Sequence, residues 1–267
     1  MPRRISLIAA LATVSLTAAA SAQEITVTVE NLQGDGGFSL TPLWVGFHDG
    51  TYSNFQNGMD AADFPGLEDI AELGNTDART AAFASAQPGG VQMTLADTSG
   101  APVFSPGESS TYTINVGDAT ANRFMSFAAM VVPSNDLFVG NPDAGAELFD
   151  AMGNFNGPFT IDIFGTEVWN AGTEVNDFAN GPAFVMGQDA MAGTVENGLI
   201  QPFFNDADAG AYLASATGLQ TPVNTIGAPF GESTPLYRIT VVPEPASLGV
   251  LGLGGLLLVR RRQDCEK

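Results

Sequence analysis

The sequence predicts an all-β domain, an antiparallel β-sandwich with one or two short helices, over residues 23–242. Short runs of alternating apolar and polar residues recur along this stretch, separated by segments rich in Gly, Pro, Asn and Asp. Alternation sends successive side chains to opposite faces of a sheet, and many short strands between such loops build a sandwich or a barrel. The single cysteine, Cys265, lies outside the stretch, so the domain must hold itself together by core burial alone. About 220 residues are enough for one sizeable core.

Residues 24–30 alternate strictly, with β-branched side chains at most positions, the pattern of a half-buried strand. Further strands are expected at 40–47, 91–95, 111–116, 124–132, 159–164 and 236–242. Residues 67–73 and 76–86 interrupt the β pattern, and Asp77 with alanine-rich spacing favours a short surface helix in the second patch. The segment 205–210 has acidic residues at Asp206 and Asp208, but its glycine spacing is wrong for an EF-hand and it reads as a polar loop.

Both ends read as processing signals. Arg3 and Arg4 precede an apolar run over 5–20, and Ala20, Ser21 and Ala22 supply small residues for cleavage after Ala22, so residues 1–22 are expected to be a secretory signal peptide. At the other end Pro243, Glu244 and Pro245 precede an apolar, glycine-studded stretch and the basic stop Arg260, Arg261 and Arg262. This order resembles the PEP-CTERM sorting signal, which makes residues 243–267 a sorting tail. The arginines would stay cytoplasmic while the apolar segment enters the membrane and holds the Pro-Glu-Pro triplet at the outer surface. The resemblance implies signal peptidase and an exosortase, a membrane-embedded transpeptidase-like enzyme, as partners during export, with transient membrane anchoring through the tail.

Charge narrows the function classes. Up to Pro245 only Arg79, Arg123 and Arg238 are basic once the signal peptide is set aside; of the 29 acidic residues only Asp264 and Glu266 lie beyond Pro245, so 27 remain and residues 23–245 carry a net charge of −24. Such a surface repels nucleic acid and anionic lipid and attracts cations. The same stretch has no lysine and one histidine, His48, which excludes Schiff-base lysines, phosphate loops bearing lysine and histidine-rich zinc sites. The ligand chemistry left is oxygen.

Three blocks carry a second resemblance. Residues 41–50 include Trp44, His48 and Asp49 and are followed by 66–74; residues 124–140 contain Pro133, Ser134 and Asp136 and then Phe138, Val139 and Gly140; residues 168–177 contain Ala171, Gly172, Thr173 and Glu174. In this order they resemble a spondin domain, which implies a C2-like sandwich with calcium held by loops at one end. Carried over by position, the metal ligands would be Asp136, Asn170 and Glu174, with Asn176 and Asp177 as substitutes if the loop register differs. Calcium accepts roughly six to eight hard oxygen ligands in flexible geometry, which suits these side chains. Asn170 stands where the family has an aspartate, so the expected affinity is of the weak, extracellular kind. Each residue also has a plain reading: Asp136 caps a turn, Asn170 adopts a left-handed turn, Glu174 is an exposed carboxylate.

His48 lacks any accompanying nucleophile motif and is expected to be a hydrogen-bonded residue at a strand end rather than an acid–base group. Trp44 and Trp169 are expected in the core, although an exposed Trp169 would suit a sugar platform. The expected function is a non-catalytic, calcium-binding adhesion or extracellular matrix protein at the cell surface or in the matrix, meeting a matrix or exopolysaccharide component. The alternative is an exported polysaccharide-acting hydrolase or carbohydrate-binding protein, working with two carboxylates across a cleft.

Overall fold

The computed structural model describes residues 23–244. The expected signal peptide and the tail from Pro245 onward lie outside the described residues. The domain is an all-β sandwich of two antiparallel sheets. The smaller one joins β5 (Ser109–Asn115), β1 (Glu24–Asn31), β12 (Pro235–Pro243) and β9 (Phe159–Phe164) in that order. The larger runs β11 (Gln201–Pro202), β10 (Val168–Asn170), β7 (Leu137–Gly140), β6 (Phe124–Val132), β3 (Leu43–His48) and β4 (Val91–Leu95), with β2 (Ser39–Leu40) and β8 (Ala146–Glu147) also pairing with β6.

The smaller sheet follows the alternation read from the sequence. Ile25, Val27 and Val29 of β1 and Tyr237, Ile239 and Val241 of β12 point inward and are fully buried. They meet Val45 and Phe47 of β3, Met125, Phe127, Ala129 and Val131 of β6, and Val139 of β7 in one continuous core. Burial of each such side chain contributes about 1.5–3 kcal/mol, the main force closing the sandwich.

β3 is buried at every position and β6 at all but its first, because a third layer covers the far side of the larger sheet. Helices α1 (Leu67–Leu73) and α2 (Asp77–Ala86) lie there. Leu67 and Ala71 of α1 pack with Phe55, Phe64 and Phe138, while Ile70 and Phe83 pack with Trp44 and Ala128. The α2 segment expected at the surface therefore also serves as a lid over the sheet, burying Phe83 and Arg79. Gly66 and Gly74 flank α1 in the left-handed conformation, which sets its abrupt ends. A third helix, α3 (Ala209–Ser215), directly follows Asp208. No helix among the described residues is long and apolar enough to cross a membrane.

Candidate functional site: buried carboxylates at one group of loops

Asp136 sits between the end of β6 and the start of β7, and its side chain is completely buried. Its backbone carbonyl accepts from Ala171 N–H at 3.2 Å, which brings the turn after β10 against it. Its Oδ2 accepts from Thr173 N–H at 2.8 Å and from Glu174 N–H at 3.1 Å. The segment is fixed from the other side by a ladder to residues 194–198: Val175 N–H donates to Thr194 O at 2.8 Å and Glu196 N–H to Thr173 O at 2.9 Å. Gly172, at φ +72°, allows the turn between these contacts, and a Cβ there would come within 2.7 Å of Leu199 N.

The structure thus brings Asp136, Asn170 and Glu174 into one loop cluster, each buried. Their free valences differ. Asn170 Oδ1 accepts from Gly172 N–H at 2.6 Å, so that oxygen is already spent on its own turn. Asp136 Oδ1, Glu174 Oε2 and Asn176 Oδ1 are buried acceptors with no donor among the described residues. Glu174 also lies directly over Gly193, where a Cβ would fall 1.9 Å from Oε1. Asp177 is taken up elsewhere: its carboxylate accepts from Ala179 N–H at 2.8 Å and from the Asn180 side chain.

These carboxylates are electrostatically uncomfortable. Burial pushes the Asp136 carboxyl up to about 7, against the two amides that donate to it, and the nearby Glu196 and Glu72 add to the rise. Burial also pushes Glu174 up to about 7, helped by the negative charge of Glu72 and Glu68 on α1. Glu72 itself is raised, first by burial and then by Glu68 and Asp69. The sequence reading missed Glu72, which lies far away in the chain and reaches the site only because α1 packs over the sheet. It also missed Asn135, whose Oδ1 accepts from Asp177 N–H at 3.0 Å and from the Tyr212 hydroxyl at 3.1 Å, tying the loop to α3.

A cavity of about 280 Å³ opens beside this cluster, lined by Asp177, Glu196, Asp206 and Asp208 with the stacked rings of Phe178 and Tyr212. Chemically, the donor set consists of hard oxygens that lack protons to accept, which fits a divalent cation such as calcium. Among the described residues no group of three or more His, Cys, Asp or Glu is arranged to hold a metal, so an ion here would draw on amide and backbone oxygens as well.

His48 is the last residue of β3 and fully buried. Its Nδ1 accepts from Gly50 N–H at 3.1 Å, leaving Nε2–H to donate to Ser126 Oγ at 3.0 Å. Burial pulls its pKa down to about 4, although Asp49 opposes this. Trp44 is fully buried with its indole N–H on Gln92 Oε1, and partly buried Trp169 packs edge-on against Phe55.

The chain's C-terminal end points to export. Residues 241–263 match the PEP-CTERM protein-sorting motif. The motif marks an exported protein that an exosortase processes, with membrane anchoring through the C-terminal segment and a route associated with the cell surface. No curated protein matches the chain, and no family match supports the spondin resemblance.

Proposed function

We propose that this exported domain is a non-catalytic, calcium-supported adhesion or matrix protein of the spondin type. The single observation that carries the reading is the pair of buried carboxylate oxygens, Asp136 Oδ1 and Glu174 Oε2, left without donors in adjoining segments. Asn176 Oδ1 would complete the side-chain set, and Asn170 would act by shaping the turn. A bound cation supplies positive charge to acidic segments that otherwise repel one another, and so stiffens that group of loops. A rigid end on an exported, tail-anchored sandwich suits a matrix or exopolysaccharide partner. The protein should melt at a higher temperature in calcium than in chelator, and Asp136→Ala should abolish the difference. Identical curves for the wild-type protein would remove the metal from the account. Capture of matrix components from the native cells in calcium, lost in chelator, would test the adhesive part.

The acidic cavity supports a second reading. Carboxylates beside the Phe178–Tyr212 stack are the ingredients of a polysaccharide-acting site. Hydrolysis of the native exopolysaccharide by the wild-type protein, lost in Glu196→Gln and Asp208→Asn, would favour it over adhesion.

A further inference from the structure

The sorting motif begins inside the folded sheet. β12 is an interior strand between β1 and β9, with Pro243 opposite Ile25 and Val242 opposite Thr26. Glu244 follows it, and its N–H donates to Glu24 O at 3.2 Å. The Glu244 carboxylate is held as well: Oε1 accepts from the Thr113 hydroxyl at 3.1 Å and from the Thr26 hydroxyl. Thr26 and Thr113 face each other across β1 and β5, so one glutamate oxygen ties the sorting motif to two strands of the domain.

An enzyme that cleaves peptides must grip an extended stretch on both sides of the bond it cuts. Residues up to Pro243 satisfy that only if β12 is pulled from between its neighbours, which exposes the fully buried Ile239 and Val241. Such subglobal opening is rare in a packed sheet. We propose that the domain itself sets the processing site: Glu244 stays docked on Thr26 and Thr113, cleavage is confined to bonds C-terminal to Glu244, and the mature protein keeps that glutamate. The step breaks one peptide C–N bond. The acyl carbon passes to water or to an acceptor amine, and the departing tail keeps the nitrogen and gains the proton as its new amino terminus.

The test uses the full-length protein made in cells that carry its exosortase. Mass spectrometry of the mature C-terminus should show Glu244 retained. In purified full-length protein, hydrogen exchange at the Glu244 amide should rise roughly tenfold in Thr26→Val/Thr113→Val, the scale of losing a hydrogen bond to a charged group. Valine keeps strand preference, and unchanged circular dichroism would show the fold intact. Thr26→Ser/Thr113→Ser keeps both hydroxyls and should exchange as the wild type does. A mature chain ending at Pro243 or earlier would overturn the proposal, as would equal exchange in the wild-type and valine proteins, or serine and valine variants that exchange equally fast.

Discussion

Asp97 and Asp136 are both buried carboxylates close to strand ends of the same sandwich, and the structure treats them in opposite ways. Asp97 Oδ2 accepts from Ser99 N–H at 2.8 Å, Ser99 Oγ at 2.6 Å and Gly100 N–H at 3.2 Å, while Oδ1 accepts from Ser110 Oγ at 2.7 Å. Burial pushes its pKa up, but these donors outweigh burial and hold it below the ordinary value. Asp136 has two amides and a hydroxyl on one oxygen and nothing on the other, and burial wins. Asp97 is complete within the chain. Asp136 is complete only with a proton or a cation, and that difference separates a structural carboxylate from a candidate ligand.

Asp97→Ala removes four hydrogen bonds and leaves the buried Ser110 hydroxyl without its partner, and should cost about 3 kcal/mol in urea unfolding, equally in calcium and in chelator. A loss that calcium rescues would mean the two sites are coupled.

A pH series separates the two carboxylates by sign. Asp136 and Glu174 have folded-state values raised above those of the unfolded chain, so the fold favours their protonated forms. In chelator their contribution is greatest below the ordinary carboxylate range and is lost as pH rises through about 7, on the order of 3 kcal/mol for each group between pH 5 and 8. Asp97, whose value is lowered, contributes above the ordinary carboxylate range and loses its contribution as pH falls below it. Urea midpoints in chelator should therefore drop from pH 5 to 8 in the wild type and drop less in Asp136→Asn. Parallel pH dependence in the two proteins would show that Asp136 carries no such strain.

Gly193→Ala should act more gently. The added methyl occupies the place of the Glu174 carboxyl and forces it aside, costing about 1 kcal/mol and most of the calcium-dependent rise in melting temperature. Retention of that rise would take Glu174 out of the ligand set.

Much of the sandwich was legible because period-two alternation survives wherever one sheet face meets the core, as in β1. β6 and β9 fall where the sequence places them. The expected strand at 40–47 is broken into β2 and β3 around Thr41 and Pro42, since proline cannot donate to a ladder. α3 was hidden because Gly210 and its short length leave little helical signal, and packing of Tyr212 and Leu213 into the core sustains it instead. The short strands β8 and β11 exist through pairing rather than propensity.

The site was legible only in part. Resemblance, not spacing, drew Asp136 and Glu174 together. Nothing in the chain order says that Asn170 would spend its oxygen on Gly172 while Asn176 kept one free. Glu72 and the docking of Glu244 on Thr26 and Thr113 depend on layer packing and strand register, which a linear pattern does not encode.

Calorimetric titration of the full-length protein with calcium at pH 6.5, repeated in two buffers of different ionisation heat, reads the site itself. Calcium should bind and release roughly one to two protons per ion, because it displaces protons held by Asp136 and Glu174, and Asp136→Asn should reduce both binding and release. Absence of binding heat in both buffers, or binding that Asp136→Asn leaves unchanged, would contradict the account.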